Sequence, residues 1–322
     1  MTPATPTAVS SSETPRPSID YAALGDRLRA YRMGAGLQAD DVAQQLGVSR
    51  AVVYRMEKGE IVKIDTLERL AALLGTSMAS LLGVETEYYA SALALFERMR
   101  QLEEKSDRIL AHFEPISLLL TSDAYLGHLA QMLYEGLPAT LLAEQAQQRR
   151  QEIARMLEVL QERRRFFEQR KPHIVSLVGL RELERFVLTG LVGRVDLAPA
   201  LRAQRVQAAC DEVLRMADLM DSEPWYVQVG LVDDAMPSAT YQLLRGPQHS
   251  VLLHSPFRLG ELPNVHNGIA MVTSSPEAVR LHETMTQNLW SAACKGREGA
   301  RRLRELVARI EPLPPTAFRS KP

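Results

Sequence analysis

Between Gly47 and Gly59 the chain reads GVSRAVVYRMEKG. Placed on a helix of 3.6 residues per turn, Val52, Val53 and Met56 fall on one side. Arg50, Ala51, Tyr54, Arg55 and Lys58 fall on the other. The second side offers two guanidiniums, a phenol and an ammonium, and the small Ala51 permits close approach. A guanidinium can pair bidentately with guanine O6 and N7. A tyrosine can meet a thymine methyl or a phosphate, and Lys63, a few residues on, can meet a phosphate. A short helix carrying these groups suits the major groove of duplex DNA.

Such a helix must be held by its neighbours. Ser49 stands at its N-cap and Gly59 ends it. Its apolar side can pack on Val42, Ala43 and Leu46. Gly36, Gly47, Gly59, Gly75 and Gly83 each follow an apolar-periodic run and suit helix ends. Asp65-Thr-Leu-Glu68 has the spacing of a capping box, and Ser77 can cap a last short helix. Residues 18–84 therefore read as an all-α head of five small helices. The Thr/Ser/Pro-rich stretch 1–17 before it reads as a disordered tail.

Residues Leu24 to Leu82 resemble the phage-repressor (XRE/Cro-type) helix-turn-helix family. The matching stretches are LGDRLRAYRMGAGL, DDVAQQLGVS, VYRMEKGE and TLERLAALLG, in that order. The resemblance implies that Val42–Leu46 crosses the DNA backbone and that Ser49–Lys58 is the recognition helix. It also implies a structural salt bridge between Arg32 and Glu57. The chain departs from the family where Gln38 and Ala39 replace a hydroxyl cap followed by a phosphate-contacting glutamine. It departs again where Glu60 sits in a loop that is commonly basic. Residues 18–82 hold eight Lys/Arg and eight Asp/Glu. Phosphate neutralisation supplies most non-specific affinity, so one such head binds weakly and two copies on one inverted-repeat operator are expected.

Beyond Glu87 the residues Tyr88, Ala92, Leu95, Met99, Leu102, Ser106, Ile109 and Phe113 follow 4-3 spacing. That predicts a heptad seam and, with a second long helix from Pro138 to Lys171, a helical linker and dimerisation region over 85–171. Arg163, Arg164 and Arg165 alternate with glutamates, as on a solvated helix face.

Residues 172–312 change character. IVSLV, WYVQVGLV, ATYQLL, SVLLH and GIAMVT read as strands, with Gly246-Pro247 as a hairpin turn. Helices are expected at about 180–188, 199–220, 276–294 and 297–310. The fold class is thus multidomain: a helical head, a long helical linker, a C-terminal α/β (α+β) sensor-like domain, and a tail over 313–322. This last domain resembles two kinds of sensor domain. One follows this type of helix-turn-helix in many actinobacterial regulators, and the other is the phospholipase-D-like effector domain. The paired His-x-Lys motifs of a working phospholipase are absent. Tyr226, Gln228, Tyr241, His254 and Arg258 are the candidate ligand-binding residues, while Trp225 reads as core or strand face.

The net charge of −1 over 322 residues gives the whole chain no bias toward polyanions. No apolar run reaches membrane-spanning length, and the N-terminus lacks the pattern of a secretion signal. Cys210 and Cys294 have no metal-ligand spacing. His249, His254 and His266 show none either. Asp233-Asp234 reads as a turn, and no phosphate loop or nucleophile elbow is present. The expectation is a cytoplasmic non-enzyme without cofactor: a dimeric, DNA-binding transcription regulator responsive to a small molecule. The alternative is a repressor or antitoxin-like protein whose C-terminal domain binds a protein partner.

Overall fold

The computed structural model describes residues 20–60, 63–84, 86–233, 236–247 and 250–310. The tails expected at 1–17 and 313–322, together with Asp234 and His249, lie outside the described residues.

The head contains α1 (Tyr21–Gly34), α2 (Ala39–Leu46), α3 (Arg50–Glu57), α4 (Ile64–Leu73) and α5 (Met78–Leu82). Asp20 caps α1, accepting from the Ala23 amide at 3.0 Å. Gly47 and Gly83 close α2 and α5 at φ 71° and 64°, in the left-handed region that a side chain disfavours. The expected capping box at Asp65 is corrected. The N-cap of α4 is Lys63, and Asp65 lies inside the first turn, where its charge suits the helix dipole.

The rest of the chain runs β1 (Thr86–Tyr89), α6 (Ala92–Glu104), β2 (Arg108–His112), a 3-10 turn (Leu118–Leu120), α7 (Tyr125–Glu135), α8 (Ala143–Arg170), β3 (His173–Gly179), α9 (Leu180–Thr189), α10 (Pro199–Ser222), β4 (Val227–Val232), β5 (Thr240–Arg245), β6 (Ser250–Ser255), β7 (Ala270–Thr273), α11 (Pro276–Ala292) and α12 (Gly296–Ala308). The seven strands form one mixed sheet in the order β1-β7-β6-β5-β2-β3-β4. Among the described residues, β2, β3 and β4 run parallel and the other pairings are antiparallel. Register aligns Tyr88, Met271, His254, Tyr241, His112 and Leu177 across one face. Tyr241, Leu243 and Leu252 of that face pack on Val279 and Trp290 of α11. The opposite face, with Ile109, Ile174, Leu244 and Leu253, joins the main core under α6, α8, α9 and α10. The molecule is therefore multidomain α+β, with a helical head and a sheet-bearing body.

The uninterrupted heptad seam is corrected. Tyr88 lies on β1 and Ile109 on β2, and the segment read as a linker contributes both strands to the sheet. Between them α6 begins where the Ser91 hydroxyl accepts from the Ala94 amide at 3.3 Å. Its seam residues do not face out. Leu95, Met99 and Leu102 are buried within the chain, as are Leu93, Ala94 and Phe96 between them. Even its polar residues Glu97, Arg98, Gln101 and Glu103 are buried, so α6 is covered on every side, lying among α1, α8 and β1. The long helix begins at Ala143 rather than Pro138, where the Leu142 amide donates to Gln145 Oε1 at 3.2 Å. The solvated arginine face is corrected too. Arg163 is buried on Glu103 with contacts of 2.9 and 2.8 Å. Arg164 is buried on the Ser122 carbonyl and Asp123, each at 2.8 Å. Trp225 is 75% exposed rather than in the core.

Candidate nucleic-acid interface

Helix α3 buries only Val53 fully, with Val52 and Met56 half-buried behind it. Ser49, Arg50, Ala51, Tyr54, Arg55 and Lys58 all face solvent, and so does Lys63 at the start of α4. Ser49 holds the N-cap position, although its hydroxyl makes no capping bond. The separation of the two sides follows from the spacing of the valines against Val42, Ala43 and Leu46, all buried.

Two contacts fix α3 against α1. Arg32 Nε and Nη2 donate to the two carboxylate oxygens of Glu57 at 2.5 and 3.2 Å, and Nη1 donates to the Leu37 carbonyl at 3.0 Å. Gly25 lets the helices touch. A Cβ there would lie 2.5 Å from the Glu57 carbonyl oxygen. At α2, the Gln38 backbone amide donates to Asp41 Oδ2 at 2.7 Å, the half of a capping box in which the side chain of the third helical residue reaches back.

The outward cations are not idle. Arg50 Nη2 donates to the Tyr54 hydroxyl at 2.9 Å, its guanidinium lies 5.3 Å from the Tyr54 ring centre, and Nη1 stands 3.1 Å from Asp40 Oδ2. The Tyr54 hydroxyl, and then Asp40, push the Arg50 pKa further up. Arg55 stands 3.4 Å from Glu60 Oε2. Both arginines thus share the outer surface with a carboxylate. Sequence reasoning noted Glu60 as a departure but missed Asp40 as a partner of Arg50. The two are ten residues apart, and only the turn between α2 and α3 brings them together.

Sequence reasoning also missed a buried cluster behind the head. Glu87 receives Arg98 through Nε and Nη2 at 2.8 and 2.9 Å, Arg27 at 3.4 Å and the Tyr89 hydroxyl at 2.6 Å. Arg27 also donates to the Leu81 and Leu82 carbonyls at 2.6 and 2.9 Å. Tyr31 stacks on Tyr89 at 4.7 Å and donates to the Tyr88 carbonyl at 2.9 Å. Gly34 brings α1 against α6, since a Cβ there would lie 2.4 Å from Ala94 Cβ. Two tyrosines and an arginine inside a repeating helix pattern were the available signal.

The five candidate ligand residues do not converge on one cavity. Tyr241 and His254 are cross-strand partners under α11. The Tyr241 hydroxyl lies 2.8 Å from Thr286 Oγ1, and His254 lies 4.7 Å from the His282 ring. Burial, and then His282, hold the His254 pKa below its ordinary value, and burial does the same for His112. Tyr226 packs on Phe167 at 6.0 Å, and Gln228 is exposed on the edge strand β4. Arg258 is exposed 3.8 Å from Glu114. Asp233 accepts a hydrogen bond from Arg302, and Cys210 and Cys294 are free thiols.

Residues 23–82 match the family model of a helix-turn-helix domain, and the five-helix head is such a domain, of the XRE type. A stretch of 107 residues is 33% identical to a provisionally named HTH-type transcriptional regulatory protein of Pyrobaculum aerophilum. The match covers 31% of this chain and 42% of that relative, so the chain spans about two fifths of its length. No helix among the described residues is long and apolar enough to cross a membrane.

Proposed function

We propose that the protein is a sequence-specific, one-component transcription regulator. In this reading residues 18–84 read duplex DNA, and the sheet-bearing body responds to a small molecule. The observation that carries the reading is the outward side of α3, where five adjacent groups able to contact bases and phosphates stand exposed on a helix clamped from behind by Arg32 and Glu57. The chain acts through binding and carries out no chemistry of its own. A head with no net charge supports use in pairs, as a homodimer on half-sites about 34 Å apart. The seam residues of α6 are buried within one chain, so the contact between copies lies elsewhere on the surface.

The test is selection of a cognate duplex from a random pool, followed by titration of variants on cognate and scrambled DNA. Arg50→Ala is expected to cost roughly 1–3 kcal/mol on the cognate site and to relax base preference there. Lys63→Ala is expected to weaken all sequences alike and to lower the salt dependence. Equal losses on both duplexes for Arg50→Ala would remove base reading from the proposal. Sedimentation of the full chain as a monomer at micromolar concentration, with tight operator binding retained, would remove the dimer.

A further inference from the structure

Head and body enclose a groove of about 310 Å³, within the range of small-ligand sites. Its walls are the carboxyl end of α1 (33–36), the residues leading into α6 (90–93), the early turns of α8 (148–156) and the 265–266 stretch between β6 and β7. Every wall but the first belongs to the body, so anything seated here touches both parts of the molecule.

The lining is divided in kind. Leu93, Ile153, Met156 and Val265 are buried and present an apolar floor, with Met33 half-buried beside them. The rim carries Arg149, Arg155 and His266 against the single carboxylate of Glu152. Arg149 is held by Glu152 at 2.9 Å. Arg155 has no carboxylate partner among the described residues, and its one hydrogen bond is a long contact of 3.4 Å to the Gly36 carbonyl. That contact is long and exposed and its acceptor is neutral, so the guanidinium can exchange it for a stronger partner. A carboxylate would form a shorter, charge-assisted bond with it.

We infer that this groove binds a small amphipathic monoanion, its carboxylate on Arg155 with Arg149 alongside and its apolar body over Met33, Met156 and Val265. The carbonyl end of α1 repels negative charge, which places the carboxylate on the α8 side and turns the apolar body toward the head. Arg155 then leaves the Gly36 carbonyl, and the turn between α1 and α2 loses its tie to α8. That turn leads directly into Gln38, Asp40 and Asp41 at the start of α2, beside the DNA-facing surface. The ligand thereby has different affinity for the tied and the released head, as coupling requires. The inference rests on the reading of the chain as a ligand-responsive regulator and supplies that reading with a site and a ligand class.

The experiment uses the full chain with carbon-13-labelled methionine methyls, the Met33 and Met156 signals being assigned from Met33→Leu and Met156→Leu. Straight-chain carboxylates from butanoate to decanoate are titrated beside the alcohols of equal length, and operator affinity is measured with and without each. Saturable movement of both methionine signals is expected at an optimum chain length. The matching alcohol should bind about tenfold more weakly or worse, and Arg155→Gln should abolish that difference at an unchanged melting temperature. The proposal is overturned if no acid moves the two signals, if acid and alcohol bind alike, or if Arg155→Gln leaves acid binding intact. If the acids fail while another small molecule shifts operator affinity, the site is wrong and the ligand-responsive reading stands. If an acid binds as expected and operator affinity does not change, the site stands and that reading fails.

Discussion

Helix α1 carries three arginines that each meet a glutamate, and two of these arrangements, those of Arg32 and Arg27, serve different ends. Arg32 holds Glu57 near the surface of the head, with the side chains 12% and 8% accessible. It joins two helices of one small module and sets how α3 stands above the rest. Arg27 reaches Glu87 on the other side of α1, where Arg98 and the Tyr89 hydroxyl share the same carboxylate. Burial would raise the Glu87 pKa, but Arg98 and Arg27 hold it below the ordinary carboxylate range. The outer pair sets how α3 is presented on the head. The inner cluster ties head to sheet, and removing its single anion leaves two buried guanidiniums without a counter-charge.

The comparison can be broken most directly at Glu87. Glu87→Ala is expected to cost about 3–5 kcal/mol, the usual penalty for an uncompensated buried charge. Urea titration should show one transition shifted for the whole chain, and a melting temperature equal to wild type would refute the latch. Glu57→Ala should cost less, roughly 1–3 kcal/mol, because it leaves one guanidinium rather than two without a counter-charge, and that one is closer to water. If Glu57→Ala proves the more damaging of the two, Glu87 is not the stronger of the two ties.

Acid sharpens the same point. All seven histidines lie outside the head, and among them His112 and His254 have lowered pKa values in the fold. The unfolded chain then binds more protons between those values and about 6.5. Their contribution is present above about pH 6.5 and is lost as pH falls below it. Thermal melts from pH 8 to 5 should show stability declining over the lower part of that range. The head should melt together with the body, and a head signal that stays put while the body weakens would show two independent units. The smallest effect belongs to the exposed pair of Arg50 and Asp40. Asp40→Asn should change stability by less than about 1 kcal/mol, yet raise affinity for cognate and scrambled duplexes alike by freeing Arg50 and removing a charge that repels phosphate. Unchanged affinity on both would show that Asp40 plays no part at the DNA surface.

Helix α3 was legible because its logic is local. Val52, Val53 and Met56 repeat with the helix period, Gly59 ends the segment, and the partners of α3 lie within a few turns of chain. Strands β3 to β7 were legible for a similar reason, being short apolar runs between turn residues. Segment 86–112 was not. Tyr88, Leu95, Leu102 and Ile109 satisfy a 4-3 pattern equally well as one exposed seam or as strand, core helix and strand. The pattern records which residues are apolar and leaves open what covers them. The apolar run from Ala92 to Phe96 was the sign that α6 would be covered on every side. The buried arginines misled for a related reason, since Arg163 and Arg164 resemble any charged helix face until Glu103 and Asp123 arrive from distant parts of the chain.

By itself, then, the sequence determined that a helix-turn-helix head exists, which of its side chains face outward, and that a mixed domain follows. Those properties depend on periodicity and caps within about a dozen residues. Only the tertiary structure decided that Glu87 locks the head to the sheet, that Asp40 pairs with Arg50, and that α8 leaves Arg155 facing a groove. Each of these depends on a charge meeting a partner on another element, and the strength of such a meeting is set by burial, which no local stretch of sequence encodes.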